Sequence, residues 1–164
     1  MMTQVLKFPQ GHSDIHEAVE QFIEQMGLNA QLDGVPRIAG RMAAYFIIHG
    51  GPVSFGQLAE ALQVSRGSIS TNVRMLASVG LIERAAVPGD RQDYYQISGM
   101  PFFRMLDIHL ERLRRVWHIV DQASQTIPDS MKDTQVRLRE MNRFYREAVK
   151  SNELLLARLS QDES

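Results

Sequence analysis

A mainly α-helical fold with one small β-hairpin follows from three features of the chain. Two short amphipathic segments, 55–62 and 66–79, stand only about three residues apart, the length of a tight interhelical turn. Two apolar runs, 81–87 and 94–97, flank the turn-rich connection Pro88-Gly89-Asp90-Arg91-Gln92. Longer segments of helical periodicity lie on both sides of this block. Helix, turn, helix and hairpin in that order are the plan of a winged helix-turn-helix, a motif that sets its second helix in a DNA major groove. We expect that motif over 34–100, an N-terminal arm and helix over 1–33 and a C-terminal helical region over 101–164.

Ser13 suits the N-cap of a helix from Asp14 to Met26, with Ile15, Ala18, Val19, Phe22, Ile23 and Met26 on one face and Glu17, Glu20 and Glu24 on the other. Pro36 fits the first turn of the next helix, whose apolar face is Ile38, Ala39, Met42, Ala43, Phe46 and Ile47, and Gly50-Gly51-Pro52 stops it. Arg37 and Arg41 share one side of that helix, where either backbone phosphates or a carboxylate elsewhere in the fold would satisfy them.

Ser54 followed by Gln57 is a capping box that opens the first helix of the pair, and Phe55, Leu58, Ala59 and Leu62 recur at helical spacing behind it. Ser65 caps the second helix. There Ile69, Val73, Leu76 and Val79 form a core stripe, while Arg66, Ser70, Thr71 and Arg74 fall opposite. Arginine bonds guanine edges in pairs or grips phosphate, and Gly67, Ser68, Ser70, Thr71 and Asn72 suit close approach and hydrogen bonding to bases or backbone. No carboxylate occurs between Ala61 and Ile82, which favours a phosphate-facing surface over a solvated one of mixed sign. Gly80 is placed as a left-handed helix terminator, and the hairpin follows. At its tip, either Arg91 enters the minor groove or grips phosphate with Asp90 bracing the loop beside Gln92, or Asp90 and Arg91 form a solvated pair. The DNA-facing candidates are therefore Ser54, Ser65, Arg66, Gly67, Ser68, Ser70, Thr71, Asn72, Arg74, Asp90, Arg91 and Gln92.

The run Ile69-Ser70-Thr71-Asn72-Val73-Arg74 with Leu76, then Gly80-Leu81-Ile82, Gly89-Asp90-Arg91 and Tyr94-Tyr95, resembles the MarR family of bacterial transcriptional regulators. Ser65-Arg66-Gly67-Ser68-Ile69-Ser70 and Asp93-Tyr94-Tyr95 are most similar to the GbsR-like subgroup. The resemblance covers roughly Gly34 to Met100 and implies a regulator, as a repressor, that binds double-stranded DNA as a homodimer through interlocked terminal helices.

After the hairpin and Pro101, a helix from Phe102 to about Thr126 carries Leu106, Leu110, Leu113, Trp117 and Val120, and Pro128-Asp129 breaks it. A last helix from about Met131 to Leu159 carries Val136, Leu138, Met141, Tyr145, Val149, Leu154, Leu155 and Leu159. These segments exceed what a monomeric winged helix needs, and with the N-terminal helix they are expected to serve dimerisation; a tetramer or a partner-docking stalk would use them equally. The resemblance also implies a choline-like effector. Tyr45, Phe46, Phe102, Phe103 and Trp117 would box a quaternary ammonium by cation–π attraction, although aromatics at such spacing also serve as plain core.

Composition sets further bounds. The 164 residues carry a net charge of −1, but 1–33 hold one lysine against five acids while 34–100 hold six arginines against four. So modest a local excess suits two motifs acting together on DNA. The chain has no cysteine, which removes disulfides and thiol redox sensing. No membrane span or leader pattern is evident, so a cytoplasmic, nucleoid-associated protein is expected. His12 and His16 have the spacing of a helical metal pair but no third ligand nearby, and His49, His109 and His118 are scattered, so no metal or other cofactor is expected. Neither a nucleophile elbow nor a phosphate-binding glycine loop is present, which argues against an enzyme. A winged helix that binds protein instead of DNA would want acids or exposed leucines where Arg66, Ser70, Thr71 and Arg74 stand.

Overall fold

The computed structural model describes residues 13–161. Helices α1 (Ser13–Leu32), α2 (Arg37–His49), α3 (Phe55–Leu62) and α4 (Arg66–Ser78) alternate with strands β1 (Val53–Ser54), β2 (Ile82–Ala85) and β3 (Tyr94–Ile97), and α5 (Pro101–Thr126) and α6 (Lys132–Gln161) follow. The chain divides into two compact units, one ending at Pro101 and the other beginning at Phe102.

In the first unit, α1 continues six residues past Met26, because Gly27 is a packing residue rather than a terminator. A Cβ at Gly27 would stand 2.6 Å from Arg41 Cγ, and one at Gly40 would stand 2.3 Å from the Met26 carbonyl oxygen. The two helices thus meet backbone to backbone, and α2 supplies the partner surface that the amphipathic α1 needs. The terminator of α1 is Gly34, left-handed at φ 74°, with Gly34 N donating to Gln31 O and Val35 N to Ala30 O. That pair of bonds satisfies the carbonyls a helix end leaves open.

The core of this unit is made by Met42, Ala44 and Phe46 of α2, Leu58 and Leu62 of α3, Ile69 and Val73 of α4, and Val53 and Ile82 of the sheet, each at most 2% exposed. Ile47, expected on the inner face of α2, is 39% exposed instead. The three strands are antiparallel in the order β1-β3-β2, with Val53 opposite Tyr95 and Ile82 opposite Ile97. Strand β2 stops at Ala85, two residues short of the expected run, where the Arg84 and Asp93 side chains pair across the mouth of the loop.

In the second unit, α5 and α6 form an antiparallel hairpin with polar ties between them. Trp117 Nε1 donates to Asn142 Oδ1 (3.2 Å), Asn142 Nδ2 to Asp121 Oδ1 (3.1 Å), and Arg114 pairs with Glu153 (2.7 Å). Gln135, buried at the start of α6, donates to the Ile127 carbonyl and so anchors the connection. Leu110, Val120 and Val149 are buried, whereas Val136, Met141, Phe144, Leu154, Leu155 and Leu159 remain exposed on α6.

Candidate nucleic-acid interface

The reading helix is set by its caps. Ser54 Oγ accepts from Gln57 N while Gln57 Oε1 accepts from Ser54 N, closing the capping box of α3. The turn that follows places Gln63 in the left-handed region (φ 54°), with Gln63 N bonded to Glu60 O and Val64 N to Ala59 O. Ser65 Oγ then accepts from Ser68 N at the start of α4. At the other end Gly80 is left-handed at φ 81°, with its N–H on Ala77 O and that of Leu81 on Leu76 O, the same terminal pattern as in α1.

Along the outer side of α4, Arg66, Gly67, Thr71 and Arg74 are exposed, and Ser68 and Ser70 are partly so. Arg74 lies back along the helix, with Nε donating to Ser70 O (3.2 Å) and Nη2 to Ser70 Oγ (3.1 Å). Thr71 Oγ1 bonds Gly67 O (3.3 Å). The Arg66 guanidinium lies over Gly56, where an added Cβ would come within 3.3 Å of Nη2, so it stands beside the N-terminus of α3. Two cations and several hydroxyls therefore share a surface with no carboxylate on its own helix to neutralise it.

Two expected members leave this surface. Ser54 is 5% exposed and spent on its capping box. Asn72 is also 5% exposed, because it sits between Ile69, Val73 and Leu76 on the core side of α4; its Nδ2 donates to Ser68 O (2.8 Å). Ser65 is exposed, but its hydroxyl is the helix cap.

In the wing loop, Gly89 takes φ 83° and Asp90 holds the tip: its carboxylate accepts from Gln92 N (2.9 Å) and the Tyr94 hydroxyl (2.8 Å). The Gln92 amide and then the Tyr94 hydroxyl hold Asp90 below the ordinary aspartate value, and the bond to this carboxylate raises Tyr94. Asp90 is thus committed to the loop, and Arg91 beside it is exposed.

Behind the reading head, Glu24 of α1 pairs with Arg37 (2.5 Å) and Arg41 (2.6 Å) of α2. The hydrogen bond from Arg37 is the largest influence lowering the Glu24 carboxyl below the ordinary glutamate value. Of the two roles open to these arginines, the structure thus shows the carboxylate partner. This triad escapes sequence reading because its members are 13 and 17 positions apart on different helices.

The aromatic candidates for an effector box are distributed over both units. Phe46 is wholly buried in the core of the first, which removes it from any ligand surface. Tyr45 stacks on His49, with centroids 5.5 Å apart, and its burial raises the phenol above its usual value. In the second unit Phe102 is 61% exposed, and the Trp117 indole is tied to Asn142. His12 lies outside the described residues, while His16 pairs with Glu20 (3.2 Å). Among the described residues no cluster of three or more His, Asp or Glu could hold a metal ion, and no helix is long and apolar enough to cross a membrane.

Comparison with known proteins bears on the same segment. The model of the MarR family matches residues 33–93. The HTH-type transcriptional regulator MmpR5 of Mycobacterium tuberculosis is 33% identical over 139 residues, covering 83% of this chain and 84% of its own. The HTH-type transcriptional repressor OpcR of Bacillus subtilis is 28% identical over 83 residues, covering 51% of this chain and 45% of its own. Among solved structures, the crystal structure of a transcriptional regulator aligns with a TM-score of 0.80 and 31% identity, covering 88% of this chain and 99% of that one.

Proposed function

The chain belongs to the MarR family, and from that premise we propose that it is a sequence-specific DNA-binding transcriptional regulator, acting as a dimeric repressor on a palindromic operator. The observation that carries the reading is the pairing of a capped, acid-free helix with a braced wing. Helix α4 offers Arg66, Ser70, Thr71 and Arg74, and Asp90 stiffens the loop that presents Arg91. Such a helix reads base edges in the major groove while a wing arginine grips phosphate or enters the minor groove.

The homodimer is supported by α6. Met141, Phe144, Leu155 and Leu159 are 36–65% exposed and fall on one flank of that helix, more apolar surface than a lone chain leaves in water without cost. A second copy would cover it, and two reading heads about 34 Å apart, one DNA turn, would read a palindrome. Membership of the GbsR-like subgroup and control by a choline-like effector rest on the resemblance of 65–70 and 93–95. The reading puts its action on chromosomal DNA in the cytoplasm, and the relatives it matches are transcriptional regulators.

The test is substitution at the two arginines. Arg74→Ala and Arg91→Ala are each expected to weaken operator binding by about 1–3 kcal/mol where the side chain touches a base, with the unfolding midpoint unchanged. Binding of a labelled operator by fluorescence anisotropy measures it. Wild-type affinity in both variants would remove α4 and the wing as the DNA face.

A further inference from the structure

One side chain joins three helices at the turn of the helix-turn-helix. Arg41 leaves α2 with its aliphatic stem against the bare face of Gly27 in α1, and its Nε stands 2.6 Å from Glu24 Oε1. Its Nη1 donates to the Leu62 carbonyl at 3.0 Å. Leu62 is the last residue of α3, so the guanidinium meets the negative pole of that helix, and the next residue is Gln63, which makes the left-handed turn. The Arg41 side chain is only 20% exposed, so these are not loose surface contacts.

A cavity of about 240 Å³ opens beside the guanidinium, bounded by Glu20 and Ile23 of α1 and by Ala61, Leu62 and Gln63. The polar partners that hold the guanidinium are the Glu24 carboxylate and the Leu62 carbonyl. The close meeting of α1 and α2 at Gly27 and Gly40 leaves little slack at the other end of the link.

We propose that Arg41 is a positioning residue for DNA recognition: by tying Glu24 of α1 to the Leu62 carbonyl, it fixes the turn at 63–65 and with it the angle at which α4 is presented. A displacement of α1 is then transmitted to the reading helix through one guanidinium. This rests on the DNA-binding reading above, and it makes Arg41 an internal strut rather than a phosphate contact.

Arg41→Met keeps the stem on Gly27 and removes both the ion pair to Glu24 and the hydrogen bond to Leu62. In the DNA-free full-length protein, amide exchange at Gln63 and Val64, whose N–H groups are bonded to α3, should quicken by about tenfold. Operator affinity should fall by about tenfold with an unchanged slope against salt, since no phosphate contact is lost. If the methionine variant does not fold, Glu24→Gln and Arg41→Lys weaken the same link and should move exchange and affinity in the same directions, by less. A slope reduced by about one unit with unchanged exchange would make Arg41 a direct phosphate contact and overturn the proposal. Unchanged exchange and affinity would overturn it as well. Failure of the wild-type protein to bind any DNA would defeat the functional reading itself, whereas wild-type binding with unaltered turn exchange in the variants defeats the strut alone.

Discussion

Phe46→Ala is expected to destabilise the first unit by about 3–5 kcal/mol, the range for truncating a buried aromatic. Phe46 is 0% exposed, on a helix that packs against both α1 and α4. Alanine would remove most of the ring's transfer energy and leave a cavity that α1 and α4 cannot both collapse into. Urea unfolding followed by circular dichroism measures the loss. A change below about 1 kcal/mol would mean that Phe46 is not the central core residue its burial implies.

Gly40→Val is the second large effect, with an expected cost of about 1–3 kcal/mol or more from overpacking. Replacing a mid-helix glycine normally gains up to about 1 kcal/mol of helix propensity, so the sign is a contest. Here the new Cβ would lie 2.3 Å from Met26 O and 2.6 Å from Ala30 Cβ. A backbone oxygen has no rotamer to change, so α1 and α2 must separate, and the clash wins. Gly67→Ala on α4 is the matched control, because its Cβ would meet nothing nearer than Ser65 Oγ at 4.0 Å. That variant should be stabilised by roughly 0.5–1 kcal/mol. Equal stability changes at the two glycines would refute the close meeting of α1 and α2.

What the sequence makes legible is what neighbours in the chain decide. The capping box of Ser54 and Gln57, the Ser65 cap, the Gly80 stop and the order of helix, turn, helix and hairpin all rest on contacts within about five residues, and the structure shows each of them. What it hides is set by tertiary partners. Asn72 looks like a polar reader until Ile69, Val73 and Leu76 are seen to draw its side of α4 into the core. Strand β1 has two residues, too few to show a period, and exists because Tyr94 and Tyr95 pair with it. Gln63 takes a left-handed conformation that glycine usually marks, so composition gives no sign of it. Gly27, just past the expected helix end at Met26, is instead a contact inside α1.

The apolar spacing of α6 is legible as a helix, but the periodicity does not say against what the helix packs. Val136, Met141, Leu154, Leu155 and Leu159 lie exposed rather than against α5. In the homodimer proposed above, a second copy would cover Met141, Leu155 and Leu159. Two weakly basic heads gain affinity and sequence length by acting together.

Selection of genomic fragments bound by the full-length protein tests DNA recognition most directly. The enriched fragments should share an inverted repeat whose half-site centres lie about one DNA turn apart. Recovery should fail with a protein carrying both Arg74→Ala and Arg91→Ala. Fragments enriched no further than the input, or a shared sequence bound equally by the doubly substituted protein, would contradict a regulator that reads DNA through α4 and the wing.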